Sequence, residues 1–220
     1  MLKPEVPAAV ARLNDVLAGV DEATVREPSG LPGWSRAHVI AHLTNFSDAM
    51  TRQVDEAREG RLVEFYDGGM PARNAGIETG STRSAEELKQ QVARATAGLL
   101  AAWEKVDDWS RPVTHRNGTL ADTVYTGWRE ITIHTADLGL DHATVGDWSQ
   151  EFCLHLLDFL RPRVPEGTRL VLQAPGVRWE HGEGDERVIE GELTDLAAWM
   201  AGRQPRGPVT GKLPELSPWP

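Results

Sequence analysis

The stretch TLADTVYTGWREITIHTADLG, residues 119–139, carries the start, the apolar face and the end of one long helix. Thr119 followed by Asp122 is the pattern of a capping box at a helix start. Gly139 is typical of the residue that follows a helix end. At about 100° per residue, the large apolar side chains share one arc, which predicts a face buried in a helical bundle. They are Leu120, Val124, Trp128, Ile131 and Leu138.

Two residues with metal-binding side chains lie at the edge of this arc. Glu130 and His134 are four residues apart, so a helix places the carboxylate and the imidazole side by side, where both can point at one atom. The alternative is an ordinary interaction on a helix surface, because pairs with this spacing are common in helices. The pair alone leaves both interpretations open.

A second helix is predicted within GWSRAHVIAHLTNFSDAMTRQVDEAREG, residues 33–60. Ser35 is a natural N-cap, and Gly60 follows the charged end of the helix. The predicted apolar arc contains Val39, Leu43, Phe46 and Met50. His38 and His42 lie at its edge.

If the two helices are neighbours, one of these histidines joins Glu130 and His134. The resulting His₂Glu set is typical of catalytic zinc sites, which keep a position open for water or substrate. His38 has an alternative: as the third residue after the Ser35 cap, it faces solvent.

Two further helices complete a predicted antiparallel four-helix bundle. One covers residues 5–20, and the stretch GVDEAT after it indicates a turn. The other begins at the Ser84–Glu87 capping box and ends near Asp107. Residues 61–83 contain four glycines and one proline with little periodicity, which predicts an irregular connection able to cover a site.

The pattern changes beyond Asp147. It predicts a helix at 149–162, three strands and a last helix with Thr194 as its cap and Gly202 as its end. The strands are predicted in RLVLQA (169–174), GVRWEH (176–181) and RVIEGEL (187–193). The expected fold class is therefore α+β, with a helical bundle at residues 1–145 and a small α/β domain at 146–220.

Composition excludes several classes of protein. Lys and Arg total 23 against 33 Asp and Glu, and the net charge of −10 argues against a nucleic-acid partner. No apolar run is long enough for a membrane span or a signal peptide. The single cysteine, Cys153, lies in the apolar stretch QEFCLHLLDFL, which predicts a buried, inert thiol. These features favour a cytoplasmic protein without a membrane partner.

Three strings resemble the mycothiol-dependent maleylpyruvate isomerase family: GWSRAHVIAHL from Gly33, WREITIHTADLG from Trp128 and EGELTDLAAWMAGR from Glu190. The resemblance covers nearly the whole chain. It implies a DinB-like four-helix bundle that holds a divalent metal, usually zinc, followed by a small C-terminal α/β domain. The matching motif positions imply that His42, Glu130 and His134 are the metal ligands, whereas His38 is not one.

The resemblance also implies a reaction, the cis–trans isomerisation of maleylpyruvate to fumarylpyruvate in aromatic catabolism. Its cofactors would be zinc and mycothiol, whose thiolate adds to the substrate and leaves again. Arg73 in MPARN and Arg203 in MAGR match positions at which arginines hold the carboxylates of the anionic dicarboxylate substrate. The alternatives are a solvated loop residue for Arg73 and a cation at the carboxyl end of the last helix for Arg203.

Three other functions stay open from the sequence. The first is a mycothiol S-transferase that acts on another electrophile with the same metal ligands. The second is a metal-binding protein without catalysis, and the third is a small-molecule or lipid carrier built on the C-terminal domain. The sequence leaves the oligomeric state open, a monomer included.

Overall fold

A computed structural model describes residues 5–220, which form two compact units. The first ends at Ala143 and the second begins at Thr144. The first is helical, and the second combines helices with a small sheet, so the predicted α+β class is confirmed. That the two parts are domains able to fold independently, with a boundary near residue 145, stays a prediction.

Within residues 5–143, the helical unit contains six α-helices. They are α1 (Glu5–Ala18), α2 (Glu22–Arg26), α3 (Arg36–Arg58), α4 (Gly69–Ser81), α5 (Ala85–Glu104) and α6 (Leu120–Asp137). Helix α3 packs against α4, α5 and α6, and α1 packs against α5 and α6. The apolar arcs predicted for α3 and α6 are confirmed, because every residue named on them is buried. The predicted turn after α1 is wrong in part, since Glu22–Arg26 form the short helix α2, which Asp21 caps by accepting from the Thr24 N–H.

Helix α4 corrects the prediction of an irregular connection at 61–83. Its glycines weaken the intrinsic tendency to form a helix, but they permit close contact with α3. A Cβ atom at Gly80 would lie 2.9 Å from the Cβ of Ala41, and one at Gly76 would lie 2.7 Å from Nδ2 of Asn45. Ile77 is buried in the helical core. Tertiary packing therefore stabilises a helix that local sequence does not predict.

The second unit contains two helices and four strands. They are α7 (Gln150–Phe159), β1 (Thr168–Ala174), β2 (Val177–His181), β3 (Asp185–Glu190), α8 (Leu193–Met200) and β4 (Thr210–Gly211). The strand order is β2-β1-β3-β4; β1 and β3 are parallel, and the other two pairs are antiparallel. The three predicted strands are confirmed, but β3 ends at Glu190, and Leu193, the last residue of the third predicted strand, begins α8. The sequence does not predict β4, because only two residues of the Pro-rich tail form it.

Two helix boundaries in this unit differ from the predictions. Helix α7 ends at Phe159, before a 3₁₀ turn at Arg161–Arg163 that contains Pro162. Helix α8 begins after Glu192, whose backbone is extended, so Thr194 already lies inside the helix and is not its cap. Within residues 5–220, no helix combines the length and the apolar character that crossing a membrane requires.

The glycine contact of α4 generates a paired stability prediction. Gly80→Ala should lower the free energy of unfolding by about 1–3 kcal/mol, because the added methyl group overlaps Ala41. Gly98→Ala, on the exposed face of α5 with no atom within 4 Å of the added Cβ, should raise it by about 0.5–1 kcal/mol. Denaturant midpoints from far-UV circular dichroism measure both changes. Equal effects of the two substitutions would contradict the packing of α4 on α3.

Candidate metal centre

Helices α3 and α6 bring His42, Glu130 and His134 together, and one ligand atom from each lies within 4.8 Å of the other two. Nε2 of His42 lies 3.1 Å from Oε2 of Glu130, and Nε2 of His134 lies 3.4 Å from the same oxygen. The three residues, hereafter the triad, come from two elements far apart in the sequence. These are the three residues that the family resemblance implies as metal ligands.

Each helix positions its part of the triad for a local reason. His42 lies one turn before Phe46 on the buried side of α3 and is only 4% exposed. Its ring meets that of His134 edge to face, with 4.5 Å between the centroids. Glu130 and His134 are neighbours because α6 is regular across their four-residue spacing. His42 is thus more deeply buried than a residue at the edge of the apolar arc is expected to be.

Asp137 supports the triad from behind His134. Its Oδ2 lies 2.8 Å from Nδ1 of His134, and the residue is buried. A carboxylate at the second ring nitrogen fixes the orientation of a histidine and leaves Nε2 directed at the site. Sequence analysis missed Asp137, although its position three residues after His134 places it on the same side of α6.

The protonation states reflect these contacts. Burial alone would raise the pKa of Glu130, but its contacts with His134 and His42 hold that pKa well below the usual range. Burial alone would lower the pKa of His134, yet the carboxylates of Asp137 and Glu130 raise it to about 9. Burial lowers the pKa of His42. Binding of a metal ion would therefore release a proton from His134.

The triad fits a divalent metal ion. Nitrogen and oxygen donors bound at about 2.0–2.2 Å in a tetrahedron lie roughly 3.3–3.6 Å apart. The distances of 3.1 Å and 3.4 Å to Oε2 of Glu130 are close to this spacing. Two histidines and one carboxylate suit zinc and leave a position open. That position has room beside it, because the triad lines a cavity of about 730 Å³.

Arg73 lies in the same cavity, on α4 and not in an irregular loop. Its Nη2 lies 3.2 Å from Nδ1 of His42, and its guanidinium carbon lies 5.8 Å from the centre of the Trp34 ring. The structure therefore brings this predicted residue to the triad. The alternative of a solvated loop residue is wrong for Arg73.

Arg203 lies in the second unit, just after α8. Its Nη1 donates to the carbonyl oxygen of Ala201 at 3.0 Å, and its guanidinium carbon lies 5.8 Å from the centre of the Trp219 ring. These contacts agree with a cation at the carboxyl end of the last helix. A role of Arg203 toward a substrate carboxylate stays a prediction.

His38 does not belong to the triad, and it does not simply face solvent. Its Nδ1 lies 2.7 Å from Oγ of Ser35 and accepts from the Ser35 N–H at 3.3 Å, so His38 completes the capping box of α3. Its Nε2 lies 3.5 Å from Oε2 of Glu78. These contacts give His38 a structural role.

The cavity wall also contains residues that sequence analysis missed. Phe65 and Tyr66 precede α4, and His115 and Arg116 precede α6. No spacing signal marks them, because they come from connections and not from periodic helices. The one hint is the polar turn HRNG at residues 115–118, directly before the Thr119 cap.

Comparisons with known proteins agree on one family. The family model of the mycothiol maleylpyruvate isomerase N-terminal domain matches residues 6–139. Two crystal structures, of mycothiol-dependent maleylpyruvate isomerase and of its variant with one histidine replaced by alanine, are similar to this chain at 30% identity. Each match covers 97% of this chain and 94% of the other, with a TM-score of 0.85. No curated protein sequence matches the chain.

The lone cysteine has no feature of a nucleophile. Cys153 is fully buried in α7, and burial raises the pKa of its thiol to about 12. We therefore expect a disulfide reagent at pH 8 to leave the native thiol unmodified and to modify one thiol per chain after denaturation. Absorbance of the released chromophore measures both. Rapid labelling of the native protein would contradict this assignment.

Proposed function

The chain belongs to the mycothiol-dependent maleylpyruvate isomerase family, and on that basis we propose that it converts maleylpyruvate to fumarylpyruvate with mycothiol. The observation that carries the proposal is the triad beside a cavity that Arg73 also lines. The reaction belongs to the breakdown of aromatic compounds, and a reducing cytoplasm would keep mycothiol in its thiol form.

We assign His42, Glu130 and His134 as ligands of one divalent metal ion, zinc by the chemistry of the donors. Their spacing and the carboxylate of Asp137 behind His134 support the assignment. When bound, the metal would lower the pKa of a thiol at the open position, and mycothiol would supply the thiolate that adds reversibly to the alkene. While that carbon–carbon bond is single it can rotate, and loss of the same thiolate restores the double bond in the trans form.

Side chains of the protein would orient the substrate for this rotation. Nη2 of Arg73 lies 3.2 Å from Nδ1 of His42, so the guanidinium is already next to the triad. A planar guanidinium binds a carboxylate through two hydrogen bonds, and we propose that Arg73 holds one carboxylate of the substrate. The carboxylate-binding role that the family resemblance implies for Arg203 stays a prediction, because its contacts with Ala201 and Trp219 lie within the second unit. The rings of Phe46, Phe65 and Tyr66 give the cavity an apolar wall.

A mycothiol S-transferase is the second candidate function. The apolar wall would suit an uncharged electrophile as well as a dicarboxylate, since Met70 lines the cavity together with the aromatic rings. Such an enzyme would use the same metal ligands but release a stable conjugate. Analysis of the product therefore separates the two activities.

The ligand assignment predicts a contrast between two histidines of α3. His42→Gln should reduce bound zinc from about one ion per chain to a small fraction and abolish activity, because the triad loses one of its three donors. His38→Gln should retain the bound zinc and the activity, since glutamine at this position can also complete a capping box. Elemental analysis measures the zinc, and circular dichroism checks the helix content. A fully metallated, active His42→Gln protein would contradict the ligand set.

The proposed reaction predicts strict dependence on an external thiol. Zinc-loaded protein should convert maleylpyruvate to fumarylpyruvate only when mycothiol is added, and Cys153→Ser should retain most of this activity because Cys153 is buried and its thiol stays protonated. Chromatography of substrate and product measures the conversion. Turnover without mycothiol that disappears in Cys153→Ser would refute the proposal, and a stable mycothiol conjugate without fumarylpyruvate would favour the transferase.

A further inference from the structure

The turn before α6 has an unusual backbone. Arg116 has φ 55° and ψ 21°, and the next residue, Asn117, has φ 52°. Among the described residues, these two are the non-glycine residues with positive φ. Asparagine adopts this conformation more readily than most residues, but arginine does so rarely. A strained position of this kind persists only where its surroundings hold it, and such positions are frequent at binding sites.

The surroundings of this turn do hold it. The N–H of His115 donates to Oε1 of Gln53 at 3.2 Å, and Gln53 is buried on α3. Oγ1 of Thr114 donates to the carbonyl oxygen of Val63 at 2.5 Å. The N–H of Asn117 donates to the carbonyl oxygen of Thr114 at 3.2 Å. The helix that carries His42 thus also fixes the turn at residues 115–117.

This backbone places His115 and Arg116 in the wall of the cavity that the triad lines. The ring of His115 packs on that of Phe65, with 4.3 Å between the centroids. Burial, followed by the charge of Arg116, lowers the pKa of His115 to about 4, so its imidazole is neutral at pH 7. The positive charge on this part of the wall therefore belongs to Arg116.

The charges around the cavity define what it can bind. Apart from histidines, the charged residues that line the cavity are Arg73, Arg116, Glu64 and Glu130, and Glu130 is one of the proposed metal ligands. With a divalent ion in the triad, the wall would be positive overall although the chain has a net charge of −10. An anion with two separated negative groups would suit two arginines on different elements.

Resting on the proposed function, we propose that Arg116 is a second carboxylate-binding residue, which holds the end of the dicarboxylate that Arg73 does not. Arg73 and Arg116 come from α4 and from the turn before α6, and both belong to the unit that carries the triad. Arginine suits the role because its guanidinium forms two parallel hydrogen bonds with a carboxylate. Selectivity for a dicarboxylate over a monocarboxylate is then a property of the helical unit.

Binding of an unreactive substrate analogue tests this role without turnover. The probe is maleylpyruvate with its alkene reduced, which cannot accept a thiolate, together with its two monomethyl esters. Calorimetry gives the Kd of each probe for the zinc-loaded protein and for zinc-loaded Arg116→Asn and Arg116→Lys. Asparagine removes the charge but tolerates the backbone of the turn, and lysine restores the charge. Arg61→Asn is the matched control, because Arg61 is exposed and does not line the cavity.

We expect Arg116→Asn to weaken binding of the dicarboxylate about 10-fold or more, with unchanged zinc content, and Arg61→Asn to leave it unchanged. Lysine should recover part of the loss. One monomethyl ester should bind the wild type and Arg116→Asn equally, because esterification removes the group that Arg116 holds. Equal binding of the dicarboxylate by wild type and Arg116→Asn would overturn the proposal. The proposal would also be overturned if Arg116→Asn weakened binding of the dicarboxylate and of both esters equally. The charge of Arg116 would then act at long range and not on one carboxylate.

The same samples separate this proposal from the proposed function. If the wild type shows the expected binding pattern but does not isomerise maleylpyruvate with mycothiol, the proposed reaction is wrong and the assignment of Arg116 stands. If the wild type isomerises maleylpyruvate and Arg116→Asn binds the analogue normally, the reaction stands and the assignment of Arg116 is wrong.

Discussion

The structure depends on the contact between the carboxylate of Glu130 and two imidazoles, His134 from its own helix and His42 from α3. A partly buried carboxylate is stable only when neighbouring groups compensate its charge. Here the compensation requires a fixed packing of α3 against α6, because a shift of either helix by one residue would turn a histidine away. The same three atoms have the spacing of metal ligands, so the constraint that fixes the helix packing also spaces the proposed ligands.

Helix α3, which is fixed against α6 by the contact of His42 with Glu130, also positions the rest of the site. Ala41 and Asn45 contact the glycines of α4, which brings Arg73 to His42. Gln53, further along the same helix, holds the turn that contains Arg116. Helix α3 thus positions the triad, Arg73 on α4 and the turn before α6 relative to one another. That arrangement produces a cavity lined by aromatic rings, the three proposed metal ligands and two arginines.

Much of this architecture is predictable from sequence because its signals are local. The capping residues Ser84 and Thr119 and the apolar arcs of α3 and α6 define the helices correctly. Spacing within one helix also pairs Glu130 with His134, but no local signal chooses between His38 and His42. The family resemblance implies His42, and the structure places His42 beside Glu130 and His38 in a helix cap.

The features that sequence analysis missed depend on tertiary contacts. Helix α4 contains residues that weaken helices and is stabilised by α3, so periodicity does not reveal it. The positive φ of Arg116 exists because Gln53 and Thr114 hold the turn, and residue type alone predicts the opposite. Asp137 is a different case, because the sequence shows that it follows His134 by three residues. That spacing indicates a supporting carboxylate only if His134 is taken as a metal ligand.

In the proposed function, the triad holds a metal ion whose open position accepts an external thiolate. Replacing zinc with cobalt(II) gives a direct optical readout, because a bound thiolate produces an intense sulfur-to-cobalt charge-transfer band in the near ultraviolet. Titration of the cobalt protein with mycothiol should produce this band with one mycothiol per chain, and the His42→Gln protein should not show it. A cobalt protein that binds one ion per chain and shows no charge-transfer band at saturating mycothiol would contradict the account.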